Sequence, residues 1–303
     1  MSIKLGPNRY GKAETHVVSV SKNGGVHEIR DLNVGVALSG DMDEVHLTGD
    51  NAAVLPTDTQ KNTVFAFAKE HGISSPEAFG VVLAEHFVGS QPSIHHARVS
   101  VEEYAWERIV LGTSNEQLGA LASRGCARPH SFVRSGQEIR TARIHHDGEK
   151  TWVVAGLQGL VVLNSTGSEF HGYIKDKYTT LKEAYDRVLA TEVNAEWRYT
   201  GEPSDWDKTY REARSALLEA FAETYSYSLQ QTLYAMGERV LAACPEIGEV
   251  RLSLPNKHHF VVDLAAFGLE NDNEVFYAAD RPYGLIEGTV LREDAPAAGP
   301  AWE

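Results

Sequence analysis

The sequence predicts an α+β fold in which an antiparallel sheet carries helices on one face. The prediction rests on strand-like alternation of apolar and polar residues, on paired helical segments, and on one order of elements that occurs twice. Each half of the chain contains a strand pair, a helix pair and a second strand pair, an order typical of a sheet covered by helices on one side. We therefore predict two modules, at 1–147 and 148–294, and a flexible tail at 295–303.

The first half contains these strand and helix pairs and one additional short strand. Its predicted strands are 15–21, 26–39, 44–48, 93–110 and 131–146. The turn signal Asn23-Gly24-Gly25 separates the first two strands. A first helix follows the polar segment 56–63 and ends near Gly72, because glycine suits the left-handed cap position. The second helix begins with a serine cap at Ser74 and a capping box to Glu77.

The second half repeats this order of elements. Its predicted strands are 151–164, 189–199, 249–264 and 274–278. Alternation places six residues of the 189–199 strand on one face, namely Leu189, Thr191, Val193, Ala195, Trp197 and Tyr199. Helices are predicted at 206–223 and 229–243, and the latter begins under Ser226 or Ser228 and stops before Pro245.

Composition places the chain among globular proteins without a membrane span. Of its 303 residues 42% are hydrophobic and 23% charged, and no apolar run approaches the ~18 residues of a spanning helix. The amino-terminal segment lacks the apolar core of a secretory signal, so we expect an intracellular protein. The net charge of −14 disfavours nucleic acid and anionic membranes as partners, and an anionic substrate would need a local positive site. Cys126 and Cys244 are predicted to be isolated, buried apolar residues.

The motifs of common metal and cofactor sites are absent from the sequence. Neighbours on a strand point to opposite faces, so adjacent histidines cannot chelate one ion unaided. The chain has three such pairs, His95-His96, His145-His146 and His258-His259. There is no His-Glu-x-x-His, no glycine-rich dinucleotide loop and no phosphate loop. We therefore expect neither a metal nor an organic cofactor.

Three segments carry candidate functional residues, and each has a structural alternative. Thr57 and Asp58 precede an apolar helical run, where their oxygens either cap the helix or help its free N–H groups bind an anion; capping is favoured. Asn256 and His258 interrupt the apolar face of a strand, so they either form a buried polar network, which is favoured, or face a ligand. Lys12 is either a solvated lysine or, if partly desolvated, a base.

Eight short motifs, spread over nearly the whole chain, are specific as a set because of their order and spacing. They are Tyr10-Gly11-Lys12, Thr57-Asp58, Lys61-Asn62-Thr63, Ser168-Glu169-Phe170, Tyr178-Thr179-Thr180-Leu181-Lys182-Glu183, Asp186-Arg187, Ser228-Leu229-Gln230 and Leu254-Pro255-Asn256-Lys257-His258. In these motifs the chain resembles the urate oxidases, or uricases.

The resemblance implies a tunnelling fold (T-fold) with two tandem modules per chain. Pairs of chains close into barrels, and two barrels stack into a homotetramer whose active sites lie at subunit interfaces. The implied reaction is the oxidation of urate by O2 and water to 5-hydroxyisourate and H2O2, with no metal and no organic cofactor.

The resemblance also implies which residues bind the substrate. Arg187 and Gln230 grip the edges of urate, because a guanidinium fork and an amide match its carbonyl and ring-nitrogen groups. Phe170 stacks on the purine plane. Leu229 contributes its backbone N–H near a helix start.

The catalytic roles follow from the same resemblance. Thr57, with Asp58 beside it, completes the site from the neighbouring subunit. Lys12 and Thr57 form a proton relay with His258 adjacent to it. Asn256 holds oxygen, and then water, above the ring.

Two departures from the family pattern stand out. His171 follows Phe170 where some members carry tryptophan. The chain ends in Ala301-Trp302-Glu303 and not in the peroxisomal Ser-Lys-Leu, so we expect the cytoplasm of a bacterium. The alternatives are another tunnelling-fold purine or pterin enzyme, of the cyclohydrolase or aldolase kind, and a purine-binding tetramer without catalysis.

Overall fold

Residues 2–22, 25–110 and 127–303 are described by a computed structural model of the chain. The chain forms two compact units, Met1–Ala155 with Ala298–Glu303 and Gly156–Ala297. The sequence predicts a boundary after residue 147, whereas the observed boundary lies inside a strand that begins at Thr151. Cys126 and the first two residues of the Asn23-Gly24-Gly25 turn lie outside the described residues.

The first unit is a sheet backed by helices. Its strands pair antiparallel in chain order: β1 (Tyr10–Ser21), β2 (Glu28–Gly40), β3 (Ile94–Val110) and β4 (Ala127–His146). Its helices are α1 (Asp43–Leu47), α2 (Thr57–Glu70) and α3 (Pro76–Ser90). Every second residue of β2 from Leu32 to Leu38 is buried, as are Phe79, Leu83 and Phe87 of α3. Each such side chain stabilises the unit by about 1.5–3 kcal/mol.

The predicted short strand and the predicted cap of the second helix in this unit are wrong. The predicted strand at 44–48 is helix α1, whose first turn carries Asp43 and Glu44 and whose Leu47 is exposed. Acidic residues favour a helix start, and the alternation there marks no buried face. Helix α3 is capped by Ser75 and not by Ser74, because the Ser75 Oγ accepts the Ala78 N–H at 3.1 Å.

The second unit has the same layered organisation. Its strands follow the order β5 (Thr151–Asn164), β6 (Leu189–Tyr199), β7 (Ile247–Val261) and β8 (Phe276–Leu291), with β6, β7 and β8 paired antiparallel. Its helices are α4 (Trp206–Glu223) and α5 (Leu229–Ala243), as predicted. The predicted inner face of β6 is confirmed, because all six of its residues are buried. Strand β8 is much longer than predicted, since Pro282 and neighbouring charges hide its pairing with β7.

The tail prediction also needs correction. Gly299–Trp302 forms a 3-10 helix, and Ala301 is completely buried in the first unit. Gly299 has a φ of 56°, and a Cβ there would lie 2.8 Å from the Trp152 Nε1. This close approach is what allows the tail to pack in an ordered way. In the described part of the chain, no helix is long and apolar enough to cross a membrane.

Candidate active site

Three predicted residues of the first unit, Lys12, Thr57 and Asp58, make up what we call the first half-site. Lys12 is half-buried on β1 and pairs with Val36 of β2. A Cβ on the preceding Gly11 would lie 1.7 Å from the Val36 carbonyl oxygen, so only glycine allows this close pairing. The register shifts directly after Lys12, which marks a bulge that ends regular pairing at this residue.

Thr57 is the first residue of α2, and the predicted side-chain capping of this helix is wrong. The N-cap is Pro56, whose φ of −53° and ψ of 139° lead the chain into the helix, and in the described part of the chain the helix has no side-chain cap bond. The first intrahelical bond runs from the Gln60 N–H to the Pro56 carbonyl at 3.1 Å. The N–H groups of Thr57 and Asp58 therefore stay available to a ligand.

Asp58 is exposed and is held within its own helix. Its carboxylate accepts bonds from Lys61 and, at 3.2 Å, from the Asn62 Nδ2. The Lys61 hydrogen bond and charge lower the pKa of Asp58, and the charge of Lys12 adds a smaller effect in the same direction. That effect places Lys12 close to the start of α2.

The second unit holds the other predicted residues, Phe170, Arg187, Leu229, Gln230, Asn256 and His258, which we call the second half-site. Phe170 and Ala184 exchange backbone hydrogen bonds of 2.8 and 3.0 Å, and this bridge brings the two segments together. The Arg187 Cζ then lies 5.3 Å from the centre of the Phe170 ring. A cation and an aromatic plane are thus presented side by side.

Arg187 is half-buried and has no carboxylate partner among the described residues. Its Nε–H donates to the Ser168 Oγ at 3.1 Å, and its backbone N–H donates to the Ser168 carbonyl at 3.0 Å. Burial lowers the pKa of Arg187, which nevertheless remains a cation. The two Nη groups are therefore free to bind an anionic or carbonyl-bearing ligand.

A set of buried hydroxyls connects Arg187 to the start of α5. Ser168 forms a parallel bridge with Ser226, through the Glu169 N–H to the Ser226 carbonyl at 2.8 Å. The Ser226 Oγ donates to the Ser228 carbonyl at 3.0 Å and accepts the Thr232 hydroxyl at 2.8 Å. Ser168, Ser226 and Thr232 are all almost completely buried, so this network fixes the arginine relative to the helix.

Leu229 and Gln230, the first two residues of α5, differ in their exposure to solvent. Ser228 caps the helix through its Oγ, which accepts the Gln231 N–H at 3.2 Å. Leu229 has its side chain buried, so only its backbone can contribute to a ligand site. Gln230 is exposed and can offer both an amide donor and an acceptor.

Asn256 and His258 lie near the end of β7, on either side of a register shift. Both are half-buried, and neither side chain forms a hydrogen bond within the described parts of the chain. The geometry therefore gives no support to the buried network that the sequence favours. Burial lowers the pKa of His258, and the positive charge of Arg187 adds to this effect. Both effects favour the neutral imidazole over the protonated form.

Sequence reasoning assigned no role to the side chains of Ser168 and Tyr10. Each lies in a motif that carries the family resemblance, and that was the available signal. Their contacts join segments far apart in the chain, so no local pattern predicts them. Among described residues, no three or more His, Cys, Asp and Glu side chains group to hold a metal. His96 and His145 do approach across β3 and β4, with 3.3 Å between the His96 Nε2 and the His145 Nδ1.

Comparison with known proteins identifies the family of the chain. The family model described as uricase matches residues 8–145 and 153–287. The uricase of Arthrobacter globiformis is 49% identical over 300 residues, covering 99% of this chain and 94% of the relative. The chain belongs to the uricase family. Another member, the uricase of Dictyostelium discoideum, is 38% identical over 94% of this chain and 96% of the relative.

Solved uricase structures confirm the α+β fold. The crystal structure of the Arthrobacter globiformis uricase matches with a TM-score of 0.91 and 49% identity, covering 100% of this chain and 99% of that one. A uricase from Bacillus fastidious matches with a TM-score of 0.78 at 24% identity, covering 96% of both chains. The architecture of the family is therefore kept even where most residues differ.

Proposed function

We propose that this member of the uricase family oxidises urate with O2 at sites that combine the first half-site of one subunit with the second half-site of another. Family membership makes the chain a urate oxidase. The observation that best supports the proposed site is Arg187, a half-buried cation beside an aromatic ring and without a carboxylate partner among the described residues. A planar purine anion supplies both the charge and the ring that such a site lacks.

In the proposed complex the second half-site binds urate. The Arg187 Nη groups and the Gln230 amide take opposite edges of the substrate, and Phe170 stacks on its plane. The Leu229 N–H, at the start of α5, adds a backbone donor. Asn256 holds O2 and then water above the ring, with the neutral imidazole of His258 nearby.

The first half-site supplies the proton relay. Thr57 meets the other edge of urate through its free N–H and its hydroxyl, with Asp58 beside it, and Lys12 accepts the proton that the threonine passes on. Two electrons leave urate for O2, water adds to the ring, and 5-hydroxyisourate and H2O2 are released. The protein contributes orientation and electrostatics in a site closed to bulk water.

The proposed assembly is a homotetramer of T-fold chains, which would bring the half-sites of different subunits together. Large exposed side chains close in sequence to residues of the second half-site support it, because Tyr227, Tyr234 and Phe260 are each about half exposed. Side chains of this size are usually covered when exposed in groups. The cytoplasmic location remains a prediction.

The activity is tested with chelator-treated protein in air-saturated buffer. We expect urate absorbance to fall while H2O2 accumulates in equal amount, with no added metal or flavin. Unchanged absorbance would remove the proposed function. Activity that disappears with the chelator and returns with a metal would contradict the cofactor-free reaction.

The shared site is tested by co-expressing the variants Lys12→Met and Arg187→Gln. Each homo-oligomer should be almost inactive. If the half-sites come from different subunits, a random mixture regains about a quarter of wild-type activity, because half of the pairs are mixed and each has one intact site. No recovery would place Lys12 and Arg187 of one subunit in the same site.

A further inference from the structure

Tyr10 joins the two segments that carry Lys12 and Thr57. Its hydroxyl donates to the Leu55 carbonyl at 3.0 Å and accepts the Leu55 N–H at 2.9 Å, so one side chain takes both polar groups of this residue. Tyr10 lies two residues before Lys12 on β1, and Leu55 lies two residues before Thr57. Alternate residues of a strand share a face, so Tyr10 and Lys12 point the same way.

Gln60 also forms a hydrogen bond with Leu55. It is completely buried in the first turn of α2, and its Nε2 donates to the Leu55 carbonyl at 3.2 Å. Its Oε1 is buried and finds no hydrogen-bond partner among the residues that the structure describes. The Leu55 carbonyl therefore receives bonds from both β1 and α2, whereas only Pro56 separates it from Thr57.

We infer that Tyr10 is a positioning residue that sets the distance between Lys12 and Thr57, and this inference rests on the relay proposed above. Pro56 has a fixed φ, so a movement of Leu55 is passed directly to Thr57 and the start of α2. A proton relay needs its two groups within hydrogen-bond reach, and displacements of about 1 Å cost up to ~100-fold in rate. The hydroxyl of Tyr10 resists such a displacement without touching urate.

The test is the variant Tyr10→Phe, which keeps the ring and removes only the hydroxyl. We expect kcat to fall about 10-fold, while the affinity for a non-oxidisable urate analogue changes less than about 2-fold. The amide of Leu55 should exchange with deuterium faster, because it loses its acceptor. Gln60→Met should lower kcat in the same direction by a smaller factor.

The matched control is Tyr104→Phe in the same unit. The Tyr104 hydroxyl donates to the Glu102 Oε2 at 2.9 Å, and the ring contacts of Tyr104 among the described residues are with His16 and Arg134 and not with the first half-site. This control should keep wild-type kcat. If Tyr10→Phe also keeps it, even with faster exchange at Leu55, Tyr10 is only a structural anchor. An equal loss of kcat and analogue affinity would likewise overturn the inference. An inactive wild-type protein would contradict the proposed function itself. This outcome differs from the failure of the inference about Tyr10, which requires an active wild-type protein.

Discussion

The first half-site holds its functional groups on one strand and one helix, whereas the second gathers them from loops, a helix start and the end of a strand. Lys12 lies on β1 and Thr57 begins α2, and Tyr10 joins their segments through Leu55. In the second, the loop residues Phe170 and Arg187 are fixed to α5 through backbone bridges and buried hydroxyls.

This contrast matches the two tasks proposed for them. A proton relay depends on one short distance, and a strand packed against a helix maintains it. Substrate binding needs several groups of different chemistry around one ligand, and loops can bring these together if buried polar bonds hold them. We therefore expect changes in the first half-site to affect kcat and changes in the second to affect KM.

The largest expected effect is that of Lys12→Met. Loss of the proposed base should lower kcat by about 1,000-fold, within the usual contribution of general base catalysis, and leave analogue binding intact. Steady-state kinetics and calorimetry with the analogue measure the two separately. Lys69→Met, on the exposed last turn of α2, is the control and should match wild type. A Lys12→Met enzyme with wild-type activity would contradict the proposal that Lys12 is the base of the relay.

Next in size is Arg187→Gln. Removing the half-buried cation proposed to bind urate should lower kcat/KM about 100-fold, mainly through KM, equivalent to roughly 3 kcal/mol. Arg239→Gln is the control in the same unit, because the ion pairs of Arg239 with Glu219 and Glu223 are exposed. A variant that loses kcat but keeps KM would move Arg187 from binding to chemistry.

A smaller effect is expected for Ser168→Ala. The Arg187 Nε would lose its acceptor while the guanidinium stays, so KM should rise about 5-fold with kcat nearly unchanged. Ser215→Ala, which removes an exposed bond to Glu219, should change neither constant. Equal kinetics in both variants would show that the buried hydroxyls do not position Arg187.

The smallest effect concerns the charge of His258. Its pKa lies below the ordinary 6.5, because burial and the Arg187 charge disfavour the protonated form. Its unfolded form binds the proton more readily, so the stability that this histidine contributes is lost as the pH falls below 6.5. In Arg187→Gln the pKa should rise towards that value, since one repelling charge is gone. Histidine NMR, assigned with His258→Asn, measures this shift, and an unchanged pKa would mean that the two residues are not coupled.

Periodicity and end signals were enough to predict several elements of the second unit. Helices α4 and α5 have the predicted bounds, and Ser228 is one of the two predicted caps of α5. The buried face of β6 also follows directly from alternation. These features depend on residues within one or two turns of each other, where local energies decide the conformation.

Long-range pairing decided what local patterns could not. The length of β8 depends on its pairing with β7, and the order of the tail depends on the contact between Gly299 and Trp152. The N–H groups at the start of α2 stay available because Pro56 leads the chain into the helix, and Tyr10 on β1 bonds to Leu55 just before it.

The amino-acid sequence alone was sufficient for the family and the layered fold, because these follow from motifs and periodicity. The candidate site residues follow from the family resemblance and stay a prediction. Only the tertiary structure revealed that Tyr10 bonds to Leu55 and that Ser168 bonds to Arg187. Each of these hydrogen bonds joins residues that only folding brings together. Its energy depends on burial in the folded protein, which the sequence of a short segment does not determine.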